Sequence, residues 1–175
     1  VSVGGTWGAA AGWRGQRDRS QGLAAQLHHD QLMPILQMLN PGPATSAATA
    51  GGRWDSIGDT PDSLISTIRF GDALSVNLVS STINTAGQRP VLRGDLGSIE
   101  VCANGVTLTP EGGSEQWIPA PAGSFTAEQL LLRDWVEAVR GGHEPLCPLS
   151  LGLAAQEAVD LSLAAYRDGK SVREA

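Results

Sequence analysis

Between residues 63 and 83 apolar side chains recur at every second position. SLISTIRF is followed by Gly71-Asp72 and then by ALSVNLVSSTI. A period of two marks half-buried strands, and Gly-Asp between two such runs predicts a hairpin. PVLRG, SIEVCA and GVTLTP continue as three more short strands, broken at Gly94-Asp95-Leu96-Gly97 and at Asn104-Gly105. Turns this short join antiparallel neighbours. A short strand is also predicted at 1–7, a Gly/Arg-rich loop at 8–22, a strand and turn within 44–58, and a loop over 110–123.

Elsewhere the period lengthens to that of a helix. An apolar helical segment spans 22–39 and ends at Asn40-Pro41-Gly42-Pro43, a run of breakers. In SFTAEQLLLRDWVEAVRGG, Thr126 stands three residues before Gln129, the spacing of a capping box. A last helix opens at Ser150 and stops at Gly169. Strands in a block with helices on either side predict an α+β fold: a mainly antiparallel open sheet, helices packed on one face, and the other face free for oligomerisation.

The chain has 175 residues, enough for a single domain over 1–175 with its own core. A net charge of −6 argues against nucleic acid or an anionic membrane surface as a partner. Arg14, Arg17 and Arg19 form the one basic cluster, and Asp18 interrupts it. No apolar run approaches the roughly 20 residues of a membrane span. Two isolated cysteines, Cys102 and Cys147, form no CxxC and suit a reduced, cytoplasmic setting. No GxGxxG opens a helix after a strand, so this chain carries no dinucleotide fingerprint of its own. Lys170 is its only lysine.

The candidate chemistry lies in SQGLAAQLHHDQLMPIL, residues 20–36. On a helix, Leu23, Leu27, His28, Leu32, Ile35, Met38 and Leu39 share one broad half, and Gln26, His29, Asp30, Met33 and Gln37 the other. A two-histidine metal site on a helix needs i, i+4 spacing, which His28-His29 lacks. His28 reads as a hydrogen-bonded core histidine, while Gln26, His29 and Asp30 share an outward face. Pro34 predicts a break or kink near 30–34, with two short helices meeting near Asp30.

The layout resembles the C-terminal domain of the glucose–fructose oxidoreductase / inositol dehydrogenase (Gfo/Idh/MocA) family over nearly the whole chain. The motifs are Trp13-Arg14 with Gln21-Gly22 before a leucine-rich helix, the hairpin of 59–82, VLRGDLGSIEV, and a closing segment with Gly142 to Pro145 and AYRDGKSV. The resemblance implies a substrate-binding and oligomerisation domain of an NAD(P)-dependent oxidoreductase acting on a sugar-like or polyol substrate. NAD or NADP would be bound mainly by an upstream Rossmann domain that also carries a catalytic lysine, and the protein would form dimers or tetramers. The family's acidic residue and its histidine four positions later fall on Gln26 and Asp30, and both depart from the pattern. The resemblance therefore implies Asp30 and His29 as acid/base candidates, with Gln26 as a hydrogen-bond partner and Trp13 and Arg14 at the rim of the substrate site. The other reading is a non-catalytic binding or scaffold module on the same fold.

Overall fold

The computed structural model describes residues 15–16, 19–53, 59–81, 89–102, 104–121, 123, 125–169 and 172–173. The strand expected at 1–7, and Trp13 and Arg14, lie outside these residues. The described residues form three helices, α1 (Leu23–Leu39), α2 (Ala127–Gly141) and α3 (Leu149–Asp168). They also form eight strands: β1 (Ser46–Gly52), β2 (Ser63–Phe70), β3 (Leu74–Ser81), β4 (Val91–Gly94), β5 (Gly97–Cys102), β6 (Gly105–Pro110), β7 (Gln116–Pro119) and β8 (Val172–Arg173). The fold is α+β, and every strand pair is antiparallel.

The strands divide between two four-stranded sheets, ordered β3-β2-β1-β8 and β4-β5-β6-β7. The chain likewise divides into two compact units, residues 1–86 with 144–175, and residues 87–143.

In the first unit the period-two pattern does what it predicts. Leu64, Ser66, Ile68 and Phe70 of β2 point inward, and Ile65, Thr67 and Arg69 outward. In β3, Val76, Leu78 and Ser80 are buried. Helices α1 and α3 cover this inner face, so Leu32 and Leu36 meet Leu64, Ile68, Ala155, Val159 and Leu163 in one core. On the outer face Ile65 pairs with Val79, and both are exposed.

Helix α1 runs unbroken from Leu23 to Leu39 through Pro34, so the expected division into two short helices does not occur. Pro34 is exposed, whereas Leu32 and Leu36 on either side are buried. Packing holds the helix, and the bond that proline cannot make is lost on the water side, where solvent can serve the freed carbonyl. Met38 and Leu39, expected on the buried half, are exposed at the helix end. Helix α3 begins at Leu149, one residue before the expected Ser150.

In the second unit β4–β7 form a meander. Gly97 opens β5 with φ +136, where a Cβ would lie 2.3 Å from the Thr109 carbonyl oxygen. Only glycine fits this close approach. β7 falls within the expected loop 110–123, and it exists because Val106 and Thr107 of β6 pair with Ile118 and Trp117. At the start of α2 both bonds of the capping box form: Gln129 N–H donates to Thr126 Oγ1 (3.3 Å) and Thr126 N–H to Gln129 Oε1 (2.9 Å).

Candidate active site on helix α1

Adjacent residues on a helix point about 100° apart, and this sends His28 and His29 to different environments. His28 is fully buried. Its Nδ1 lies 2.5 Å from Ser80 Oγ on β3, and its Nε2 lies 2.8 Å from Ser66 Oγ on β2. Ser66 Oγ also meets Thr49 Oγ1 of β1 (2.9 Å) and Ser162 Oγ of α3 (2.7 Å). Thr49 and Ser162 close the ring at 2.9 Å. Burial lowers the imidazole from 6.5 to about 4, because the charged form is removed from water. His28 is therefore neutral at physiological pH. A serine beside a histidine has the composition of a nucleophile and its base, but Ser66, Ser80 and His28 are shut away from any substrate.

His29 is half-buried at the seam between α1 and α3. Its Nε2 lies 3.4 Å from the Gly152 carbonyl oxygen and its Nδ1 lies 3.8 Å from Asp30 Oδ1. A carbonyl only accepts, so Nε2 carries the hydrogen in that contact. The basic nitrogen, Nδ1, is then the one beside the Asp30 carboxylate, too far for a direct hydrogen bond. Gln26 and Asp30 are exposed, one helical turn apart. The structure thus brings Gln26, His29 and Asp30 onto one accessible side of α1 and turns His28 away from them. A metal triad of His28, His29 and Asp30 has no common focus. Because α1 is continuous, His29 and Asp30 keep the ordinary angular offset of adjacent helical residues.

Neighbouring polar groups extend this side. Gln21 Nε2 donates to Asp160 Oδ1, and Gln156 Nε2 donates to Gln21 Oε1 (2.9 Å) and Asp160 Oδ1 (3.1 Å). Gln156 and Asp160 follow Gly152 along α3 at intervals of four, so one row of α3 faces the start of α1. That row was not visible as a site in the sequence; the i, i+4, i+8 spacing of Gly152, Gln156 and Asp160 was its only signal. A cleft of about 330 Å³ that shares Asp160 with this cluster is lined by Pro43, Ala44, Glu157, Asp160, Leu161 and Ala164.

Among the described residues, the start of α1 is closely packed. Gly22, the residue before the helix, has φ +99, and the space beside it is filled: a Cβ there would lie 2.7 Å from Thr60 Cβ. Its N–H already meets Ser20 Oγ at 2.9 Å. This glycine serves close packing rather than an anion cradle.

No protein-family model matches the sequence, and no curated protein does. Solved structures do match in fold. The aldose–aldose oxidoreductase of Caulobacter crescentus, complexed with glycerol, superposes with a TM-score of 0.81 at 18% identity, over 99% of this chain and 54% of that one. The WlbA dehydrogenase of Bordetella pertussis, in complex with NADH and UDP-GlcNAcA, gives 0.68 at 15% identity, over 100% and 54%. An oxidoreductase of Agrobacterium radiobacter, in complex with NAD+, L-tartaric acid and magnesium, gives 0.72 at 11% identity, over 98% and 54%. The chain spans about half the length of the structures it matches. Its fold, expected from the Gfo/Idh/MocA resemblance, is the fold these oxidoreductases share across that half.

Proposed function

We propose that this chain is the C-terminal substrate-binding and oligomerisation domain of a Gfo/Idh/MocA-type NAD(P)-dependent oxidoreductase. The observation that carries this reading is the shared fold across essentially the whole chain and about half of each neighbour. In this reading an upstream Rossmann domain binds NAD or NADP, the substrate is a sugar-like or polyol molecule, and the enzyme works in the cytoplasm. The neighbours crystallised with glycerol, a nucleotide sugar derivative and tartaric acid support a polyhydroxylated substrate. In this reading Trp13 and Arg14 contribute to substrate binding. The outer face of the β3-β2-β1-β8 sheet, with Ile65 and Val79 exposed, is the surface offered to a second copy in a dimer or tetramer.

Asp30 is the acid/base candidate, with His29 as its partner and Gln26 orienting a substrate hydroxyl. A side-chain amide is neither a useful acid nor a useful base at neutral pH, so Gln26 can hold a hydroxyl but cannot ionise it. That same residue favours a second reading, a non-catalytic binding module on this fold. Full-length protein separates the two. Reduction of NAD or NADP with a panel of aldoses and polyols, with kcat lowered about 100-fold by Asp30→Asn, is the outcome expected of the enzyme. Sugar binding without turnover is the outcome expected of the module, and equal turnover by Asp30→Asn would remove Asp30 from the chemistry.

A further inference from the structure

The hydroxyl network around His28 contains more contacts than its hydroxyls have protons. Thr49, Ser66 and Ser162 supply three O–H groups, and their three mutual contacts use all of them. The fourth contact, from His28 Nε2 to Ser66 Oγ, needs a hydrogen that only the imidazole can give. Neutral His28 therefore carries its proton on Nε2, and Nδ1 accepts from the Ser80 hydroxyl.

The network joins α1 to β1, β2, β3 and α3, and His28 is the residue through which α1 enters it. The other inward side chains of α1, including Ala24, Ala25, Leu32 and Leu36, are apolar. Apolar burial is non-directional and tolerates small rotations of a helix. Hydrogen bonds are not so tolerant, and a buried hydroxyl left without its partner is costly. Rolling α1 by one residue, about 100°, would carry the imidazole away from both serines and swing His29 inward. We infer that His28 is a positioning residue: as its Nε2–H tautomer it completes a hydrogen-bond network that sets the roll of α1, and with it the outward aim of Gln26, His29 and Asp30. Its consequence for chemistry rests on the proposed function; the tautomer and the roll do not.

The test is nitrogen-15 NMR of histidine-labelled full-length protein at neutral pH. The expected result is a single neutral His28 tautomer, protonated at Nε2. Ser162→Ala leaves two contacts for two hydroxyl protons, so the ring is no longer obliged to donate. Its preference for Nε2–H should then fall about fivefold, the factor one net hydrogen bond carries. A proximity signal between the His29 ring and the Gly152 α-protons reports the roll. It should be present in the wild type and lost or weakened in His28→Leu. Ser80→Ala should weaken it too, and serves alone if His28→Leu does not fold. An Nδ1–H tautomer in the wild type, an unchanged tautomer ratio in Ser162→Ala, or an unaltered His29–Gly152 signal in the folded variants overturns the inference. These readouts need no turnover, so their failure is distinct from failure of the oxidoreductase reading.

Discussion

Acid should weaken this fold through His28 before most carboxylates titrate. The imidazole has an ordinary value of 6.5 in the unfolded chain and about 4 in the folded one. Because the folded value is depressed, the unfolded state binds more protons between these limits. Stability is therefore full above pH 6.5, falls as pH drops toward 4, and is level below that as far as this group is concerned. The complete effect is on the order of 3 kcal/mol, at 1.36 kcal/mol for each tenfold change in proton affinity. At pH 5 the unfolded imidazole is protonated about 30 to 1 and the folded one about 1 to 10, which already costs about 2 kcal/mol relative to pH 7.5. His28 is fully buried, so solvent screening takes little from this figure. Urea unfolding followed by circular dichroism at pH 7.5 and pH 5 measures it. His28→Gln should be less stable than wild type at pH 7.5, because buried hydroxyls lose a partner. It should also lose about 2 kcal/mol less than wild type between the two pH values. Equal losses in both proteins would refute the reasoning, since the acid sensitivity would then arise elsewhere.

Gly22, just before α1, and Gly152, within α3, should respond in opposite ways. Gly22→Ala places a Cβ against Thr60 at φ +99 and should lower stability by at least about 1 kcal/mol. Gly152→Ala meets open space within a helix and should raise it by about 0.5–1 kcal/mol; thermal melts of both variants read the sign directly. Thr126→Ala breaks the capping box of α2, and about 1 kcal/mol of local stability should vanish. Faster amide exchange at Gln129, with exchange in the first unit unchanged, is the expected signature.

The sequence disclosed local structure well and long-range pairing poorly. The hairpin of β2 and β3 was legible because alternation and the Gly71-Asp72 turn agree. The start of α2 was legible because a capping box lies within four residues. β7 was not, since only Trp117 and Ile118 stand out among glycines and prolines, and its partner β6 supplies the rest. Pro34 misled in the other direction: a local propensity predicted a break, and burial of Leu32 and Leu36 overrode it. Within the site, the inward turn of His28 was readable from helical periodicity. Its partners were not, because Ser66 and Ser80 lie 38 and 52 residues away. Ser162, farther still, stands in a helix whose stripe of alanines and leucines gives no sign of a polar contact.

On the proposed oxidoreductase reading, these environments narrow which group on α1 could move a proton. His28 is excluded by burial and by its low basicity, and Gln26 by the chemistry of an amide. Asp30 and His29 remain, and they are not independent. The Nδ1 nitrogen of His29 faces the Asp30 carboxylate at 3.8 Å, so replacing either side chain alters the surroundings of the other. If Asp30 is the base, Asp30→Asn should abolish most of kcat while His29→Gln lowers it less. If His29 is the base, the order reverses. Equal losses in the two variants would fit neither assignment and would point to a role in substrate orientation alone.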